Sequence, residues 1–241
     1  MKFFVILVPC LFSLTVSFSQ SAKTDSIINI QVKNTLDLYD NYTGGNAPIY
    51  NGTEYIYYYF KMEGDPFFIT TNLTKGWVGY SGRMYGPLKL GYDIQRNQVT
   101  IASADNFSRI VLQNDLVDSF FLDGHTFVRL QADYKQNLNT TGFYDLLHDG
   151  HLQLLARRIK IMEDAIKDNS VVRIFTEKDH FYIHKNGLYY LVTNKKEVFR
   201  LFADKQHQLK KMLRHEHIKI GRKNFETGLL RAVEFYDQLT R

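Results

Sequence analysis

Three dipeptides constrain the fold of this chain more than any other feature: Asp123-Gly124, Asp149-Gly150 and Asn186-Gly187, each flanked on both sides by β-rich sequence. Such pairs accept positive φ at both central positions of a two-residue type I′ turn, whose twist suits an antiparallel hairpin. Residues 117–122 are therefore expected to turn into 125–130, 143–148 into 151–155, and 180–185 into 188–192. Further strands are expected over residues 54–62, 77–81, 88–94, 99–103, 109–113 and 171–177. The short links imply an antiparallel meander, because parallel pairs need crossovers of a dozen residues or more, for which there is no room.

After Asn194 the apolar period changes from 2 to 3.6. Val198, Leu201, Phe202, Leu209, Met212 and Leu213 line one helical face, and Phe225, Leu229, Ala232, Val233, Tyr236 and Leu239 line another. The expected class is mainly β (α+β): an antiparallel meander forming a sandwich or partly closed barrel, with two or three C-terminal amphipathic helices. The strands lack the sustained ten-residue alternation of a membrane-spanning barrel.

The N-terminus reads as a secretory signal. Lys2 is followed by an apolar run over residues 3–16, and Ser17-Phe18-Ser19 places small residues before a cleavage point at Gln20. The apolar run is shorter than the roughly 18–20 residues that span a bilayer, so no transmembrane span is expected in the mature chain. Cleavage removes Cys10, the one cysteine. The mature protein then has no thiol chemistry and no disulfide, and must be held by its core and its backbone ladders. The expected organisation is a signal peptide over 1–19, a lead-in over 20–49, and one domain over 50–241. Within that domain, 50–193 is antiparallel β and 194–241 a helical cap. The destination is the periplasm, the cell surface or the medium.

Charge is unevenly placed. The net charge is +5, yet residues 195–223 hold ten basic and three acidic side chains, a balance of +7. Lys210, Lys211 and Arg214 are the candidate binding residues of this basic tail, suited to an anionic glycan, a membrane surface or an acidic protein. Nucleic acid is a poor candidate for an exported chain. A second candidate is Tyr55, Tyr57 and Tyr59, which would share one face of a strand and stack sugar rings. His180, Tyr182, His184 and Tyr189 should share a face of the last hairpin. Asp118 and Arg129 should pair across the Asp123-Gly124 turn.

Metal and nucleophile chemistry is weakly represented. His148 and His151 would be cross-strand neighbours about 4.5–5.5 Å apart if Asp149-Gly150 were a two-residue turn, but no third ligand stands near them except Asp149, which the turn points elsewhere. There is no phosphate loop, dinucleotide fingerprint or nucleophile elbow, so no cofactor is expected. A glycan-acting hydrolase needs only two well-placed carboxylates, and 25 acidic residues single out no pair. The leading expectation is a non-catalytic binding or structural module. The alternative is such a hydrolase.

Several local patterns carry a resemblance: Phe18-Ser19-Gln20, Tyr50-Asn-Gly-Thr-Glu-Tyr55, Gly64-Asp-Pro-Phe-Phe68, Gly79-Tyr-Ser-Gly82, Leu90-Gly-Tyr-Asp93, Phe127-Val-Arg-Leu130, Gly142-Phe-Tyr144 and the Lys-rich helices ending at Tyr236-Asp237. Across most of residues 50–240 the chain resembles a family of exported Bacteroidota proteins with no assigned activity. Asp25-Ser26-Ile27 is similar to the short O-glycosylation motif of such proteins. The resemblance implies export and a β-rich fold, and carries no functional residues.

Overall fold

A computed structural model describes residues 47–240. The expected signal peptide, Cys10, the Asp25-Ser26-Ile27 motif and the lead-in as far as residue 46 lie outside the described residues. Fourteen strands form here: β1 (Thr53–Glu54), β2 (Met62–Glu63), β3 (Thr74–Tyr80), β4 (Arg83–Asp93), β5 (Gln98–Ala102), β6 (Arg109–Val111), β7 (Val117–Leu122), β8 (His125–Leu130), β9 (Gly142–Asp149), β10 (Gln153–Arg157), β11 (Lys160–Lys167), β12 (Ser170–Glu177), β13 (His180–Lys185) and β14 (Leu188–Val192). Eleven build one antiparallel sheet in the order β1-β6-β5-β4-β3-β7-β8-β9-β10-β13-β14, and β11-β12-β2 form a small second sheet.

The large sheet curls without closing. Four strand spacings separate β4 from β9, about 19 Å on a flat sheet. Yet the rings of Tyr92 on β4 and Phe143 on β9 lie 5.8 Å apart, with Phe120 and Phe127 packed between. The concave face thus wraps an aromatic core that includes Leu90, Ile101, Val117 and Leu122. Its two ends, β1 and β14, are not bonded to each other, so the expected antiparallel, partly closed arrangement holds. Two of the three turns form as expected. Asp123 and Gly124 have φ 50° and 86°, and Asn186 and Gly187 have 53° and 76°.

Four expectations need correction. The Asp149-Gly150 turn is longer than two residues: Asp149 pairs with Gln153 and His148 with Leu154. Neither turn residue takes a positive φ. The loop instead meets the C-terminal helix, where the buried Asp237 accepts the Leu152 N–H at 3.1 Å. Residues 54–62 are not one strand, since only Thr53–Glu54 and Met62–Glu63 pair. Parallel pairing does occur, between β2 and β12; more than a hundred residues of intervening sheet serve as the crossover. The ladder between β7 and β8 stops at Ser119 and Val128. Asp118 accepts the Gly82 N–H, and Arg129 pairs with Asp115 instead.

Three helices follow the sheet: α1 (Lys195–Leu201), α2 (Gln206–His215) and α3 (Phe225–Thr240). Val198, Phe202, Leu209, Leu213, Leu229, Ala232 and Val233 pack on Leu154, Ala156, Phe181, Ile183 and Val192 in a second core. The apolar faces read from the sequence are therefore core faces, apart from Leu239 near the end of α3, which is exposed. On the opposite side of β9, β10, β13 and β14, Leu138, Tyr144, Leu155, Tyr182 and Tyr189 form a third, smaller cluster. No helix among the described residues is long and apolar enough to cross a membrane.

Candidate functional site: a basic cavity beneath the helical cap

The site is built by two helix ends. Asn194 caps α1, its side chain accepting the N–H groups of Lys196 and Glu197 at 3.0 and 3.2 Å. Glu197 reaches back to the Thr193 N–H at 2.7 Å. These bonds satisfy N–H groups that a helix start leaves open, and they fix Lys195 in the first turn. At the far end of α2 the chain reverses. Ile218 N–H bonds Leu213 O at 2.9 Å, His217 N–H bonds Arg214 O at 3.2 Å, and His217 has φ 57°. This is the paired-bond helix stop that normally uses glycine at the left-handed position, with an apolar contact between its outer residues. Here Leu213 and Ile218 are those residues, and the reversal folds residues 218–220 back beside α2.

Between α1, α2 and the returning segment lies a cavity of about 580 Å³, lined by Lys195, Phe199, Lys210, Leu213, Arg214, His217, Ile218, Lys219 and Ile220. The apolar members form its floor. The ammonium groups of Lys195 and Lys210 stand 5.5 and 5.3 Å from the Phe199 ring centre. No carboxylate lines the cavity. Among the described residues, none of Lys195, Lys210, Arg214 and Lys219 forms an ion pair; every basic residue that does so is elsewhere. Four unpaired like charges around a concave, partly apolar wall focus a positive potential inward.

Of the expected basic residues, the structure brings Lys210 and Arg214 together, one helical turn apart on the same face. Lys211 lies on another face of α2, beside Gln208, Met212, His215 and Phe235. Lys195 and Lys219 complete the ring. They were visible as charges in the basic tail, but only the cap and the reversal after α2 place them at one cavity.

The tyrosine stripe does not exist as a stripe. Tyr55 is buried and donates its hydroxyl to Asp93 at 2.8 Å, while Tyr59 is exposed. Tyr57 stacks edge-on against Tyr55, their ring centres 5.1 Å apart. Tyr58 joins Tyr55 at Asp93, under the Arg96 guanidinium 3.8 Å above its ring. Burial pushes both the Tyr55 and Tyr58 hydroxyls above their usual range, with the Asp93 charge adding to it. His180, Tyr182, His184 and Tyr189 do share a face, as expected. There His184 stacks on Tyr189 at 4.4 Å, while Tyr182 and Tyr189 are buried in the third cluster. Burial holds the Tyr144 hydroxyl of that cluster up at about 12.

His148 and His151 are not cross-strand partners, because of the lengthened turn. His148 Nε2 faces Asp237 at 3.5 Å, and His151 is exposed. Among the described residues no group of three or more His, Cys, Asp or Glu is arranged to hold a metal ion.

The carboxylates that sequence reasoning could not single out also take shape. Arg158, nearly buried between the two main cores, bonds Asp145, Asp179 and Glu226 through five hydrogen bonds of 2.6–3.0 Å. His125 Nδ1 lies 2.8 Å from the same Asp145 Oδ2. Asp179 and Glu226 open into a second cavity of about 910 Å³. The hydrogen bonds from Arg158 hold the Glu226 carboxyl below its usual range, opposite to what a general acid requires. Burial pushes the Asp93 carboxyl above its usual range, and it is fully covered beneath Tyr55 and Tyr58.

Comparison with known protein families, with curated proteins and with solved structures found no match to this chain.

Proposed function

We propose that the protein is an exported, non-catalytic module that binds an anionic glycan in the cavity formed by Lys195, Phe199, Lys210, Arg214 and Lys219. The observation that carries this reading is the ring of four unpaired cations around an apolar floor, with no carboxylate in the wall. An acidic sugar offers both complements: carboxylate or sulfate for the cations, and a C–H face for Phe199. The concave shape favours a ligand that enters over a flat membrane, which meets only the rim. Export is supported by the sequence of residues 1–19.

The test is retention on a sulfated polysaccharide matrix, compared with a neutral matrix of the same backbone. Wild-type protein should be retained on the first alone and should elute as ionic strength rises from about 0.05 to about 0.5 M. Lys210→Glu with Arg214→Glu should abolish retention with the fold intact by circular dichroism. Lys211→Glu, on another face of α2, should leave it nearly unchanged. Retention that survives the double substitution, or that Lys211→Glu removes equally, would place the binding elsewhere.

A further inference from the structure

The basic cavity does not end at its own rim. It shares Lys195 and Ile220 with the cavity of about 910 Å³ beside it. That second cavity adds Arg222 and Lys223, carried on the short turn before α3, with Phe181, Val192 and Phe225 as apolar wall. Its wall also holds Glu177, Asp179 and Glu226, and the balance of charge depends on where these are engaged. Asp179 and Glu226 both point their oxygens at Arg158, at 2.6 and 2.7 Å. Glu177 stands 3.8 Å from the Lys160 ammonium. Arg222 and Lys223 have no such partner among the described residues. Arg158 is shared by Asp145, Asp179 and Glu226, and Lys160 by Asp65 and Glu177, so the acids of the groove are offset in part from behind the wall, whereas the cations of the groove have no ion-pair partner among the described residues. Each cavity alone falls within the roughly 300–1,000 Å³ that holds a drug-sized ligand.

We infer that the two cavities are one groove for a linear acidic oligosaccharide. Successive anionic groups would lie first among Lys195, Lys210, Arg214 and Lys219 and then against Arg222 and Lys223. This rests on the binding function proposed above and extends it from an anionic group to a chain. A single headgroup or free anion would fill only the first cavity. A chain engages both, and the second contact is then intramolecular, so affinity rises with length.

The experiment is calorimetric titration of the protein with oligogalacturonates and heparin-derived oligosaccharides of two and six units. The six-unit ligands should bind roughly tenfold or more tightly than the two-unit ligands. Arg222→Gln with Lys223→Gln should remove that advantage and leave the two-unit affinity nearly unchanged. The charge-removing pair is chosen over charge reversal to spare the start of α3, and an unchanged melting temperature confirms that it has done so. Lys210→Glu with Arg214→Glu should weaken both lengths. Equal affinity for both lengths, or a length advantage that survives the Arg222 and Lys223 substitutions, overturns the groove and leaves the single-cavity function standing. Binding of neither length overturns both. Tighter binding to phosphatidylglycerol vesicles or to single-stranded DNA than to the six-unit ligands replaces the glycan with that partner.

Discussion

Replacing Arg158 with Met tests the electrostatic logic that joins the sheet to the helical cap. The guanidinium carries five hydrogen bonds to three carboxylates of unequal exposure: Asp145 is 1% exposed, Asp179 24% and Glu226 38%. Without the cation, Glu226 and Asp179 can turn to water, so their share of the loss is small. Asp145 cannot. It keeps only His125, and its Oδ1 already lacks a partner. Removing one partner of a buried ion pair costs about 3–5 kcal/mol, and here nearly all of it falls on Asp145. At about 2–4 °C per kcal/mol for a chain of this size, the melting temperature should fall on the order of 10 °C.

Urea unfolding followed by circular dichroism at several pH values supplies a second signature. In the wild type Arg158 holds Glu226 below its usual range. That stabilisation is present above the ordinary glutamate value of about 4.3 and is lost as pH falls through the lowered one. In the variant this contribution is absent, and a buried carboxylate without its cation favours the protonated form. The deficit should therefore be largest near neutrality and should shrink as pH falls. Adding Asp145→Leu should recover part of the loss, because an apolar pair leaves no charge stranded. A deficit below about 1 kcal/mol, or one that does not change with pH, would refute this account.

Three further substitutions follow from particular contacts. Gly150→Ala would place a Cβ 2.4 Å from Asp237 Oδ2 and 2.9 Å from His148 Nε2. It should cost about 1–3 kcal/mol in chemical denaturation by forcing α3 off the β9–β10 loop. Asn194→Ala removes the α1 cap and should cost about 1 kcal/mol, and in the same titrations it should weaken glycan binding by loosening Lys195. His217→Gly suits the left-handed position that ends α2 and should raise stability by roughly 0.5–1 kcal/mol; a loss instead would mean that the His217 side chain contributes more than its strained backbone costs.

Legibility in the sequence tracked how local the determining interaction was. The hairpins at Asp123-Gly124 and Asn186-Gly187 form as read because the two turn residues alone set their geometry. Asp149-Gly150 has the same composition, but Asp237, 88 residues on from Asp149, takes the Leu152 N–H and opens the turn. The β11–β12 hairpin escaped notice because Asp168 and Asn169 take positive φ without a glycine and its strands alternate poorly. Tyr55 and Tyr58 left the expected strand for Asp93, a buried acceptor that sequence reading had no reason to connect with them. The helical faces were legible from their period, and so was the excess of positive charge. Which cations share a cavity was not, because Lys195 and Lys219 are brought to Lys210 and Arg214 by the Asn194 cap and the reversal at His217.

The most direct test of the central claim is a methyl-resolved NMR titration with an acidic disaccharide. Leu213, Ile218 and Ile220 sit in the floor of the basic cavity, while Leu155 and Leu138 report on the separate tyrosine cluster. The account predicts shifts confined to the first group, saturating with added ligand and lost in the Lys210→Glu, Arg214→Glu protein. Saturable shifts that spare those three methyl groups, or that persist in the double variant, would contradict it.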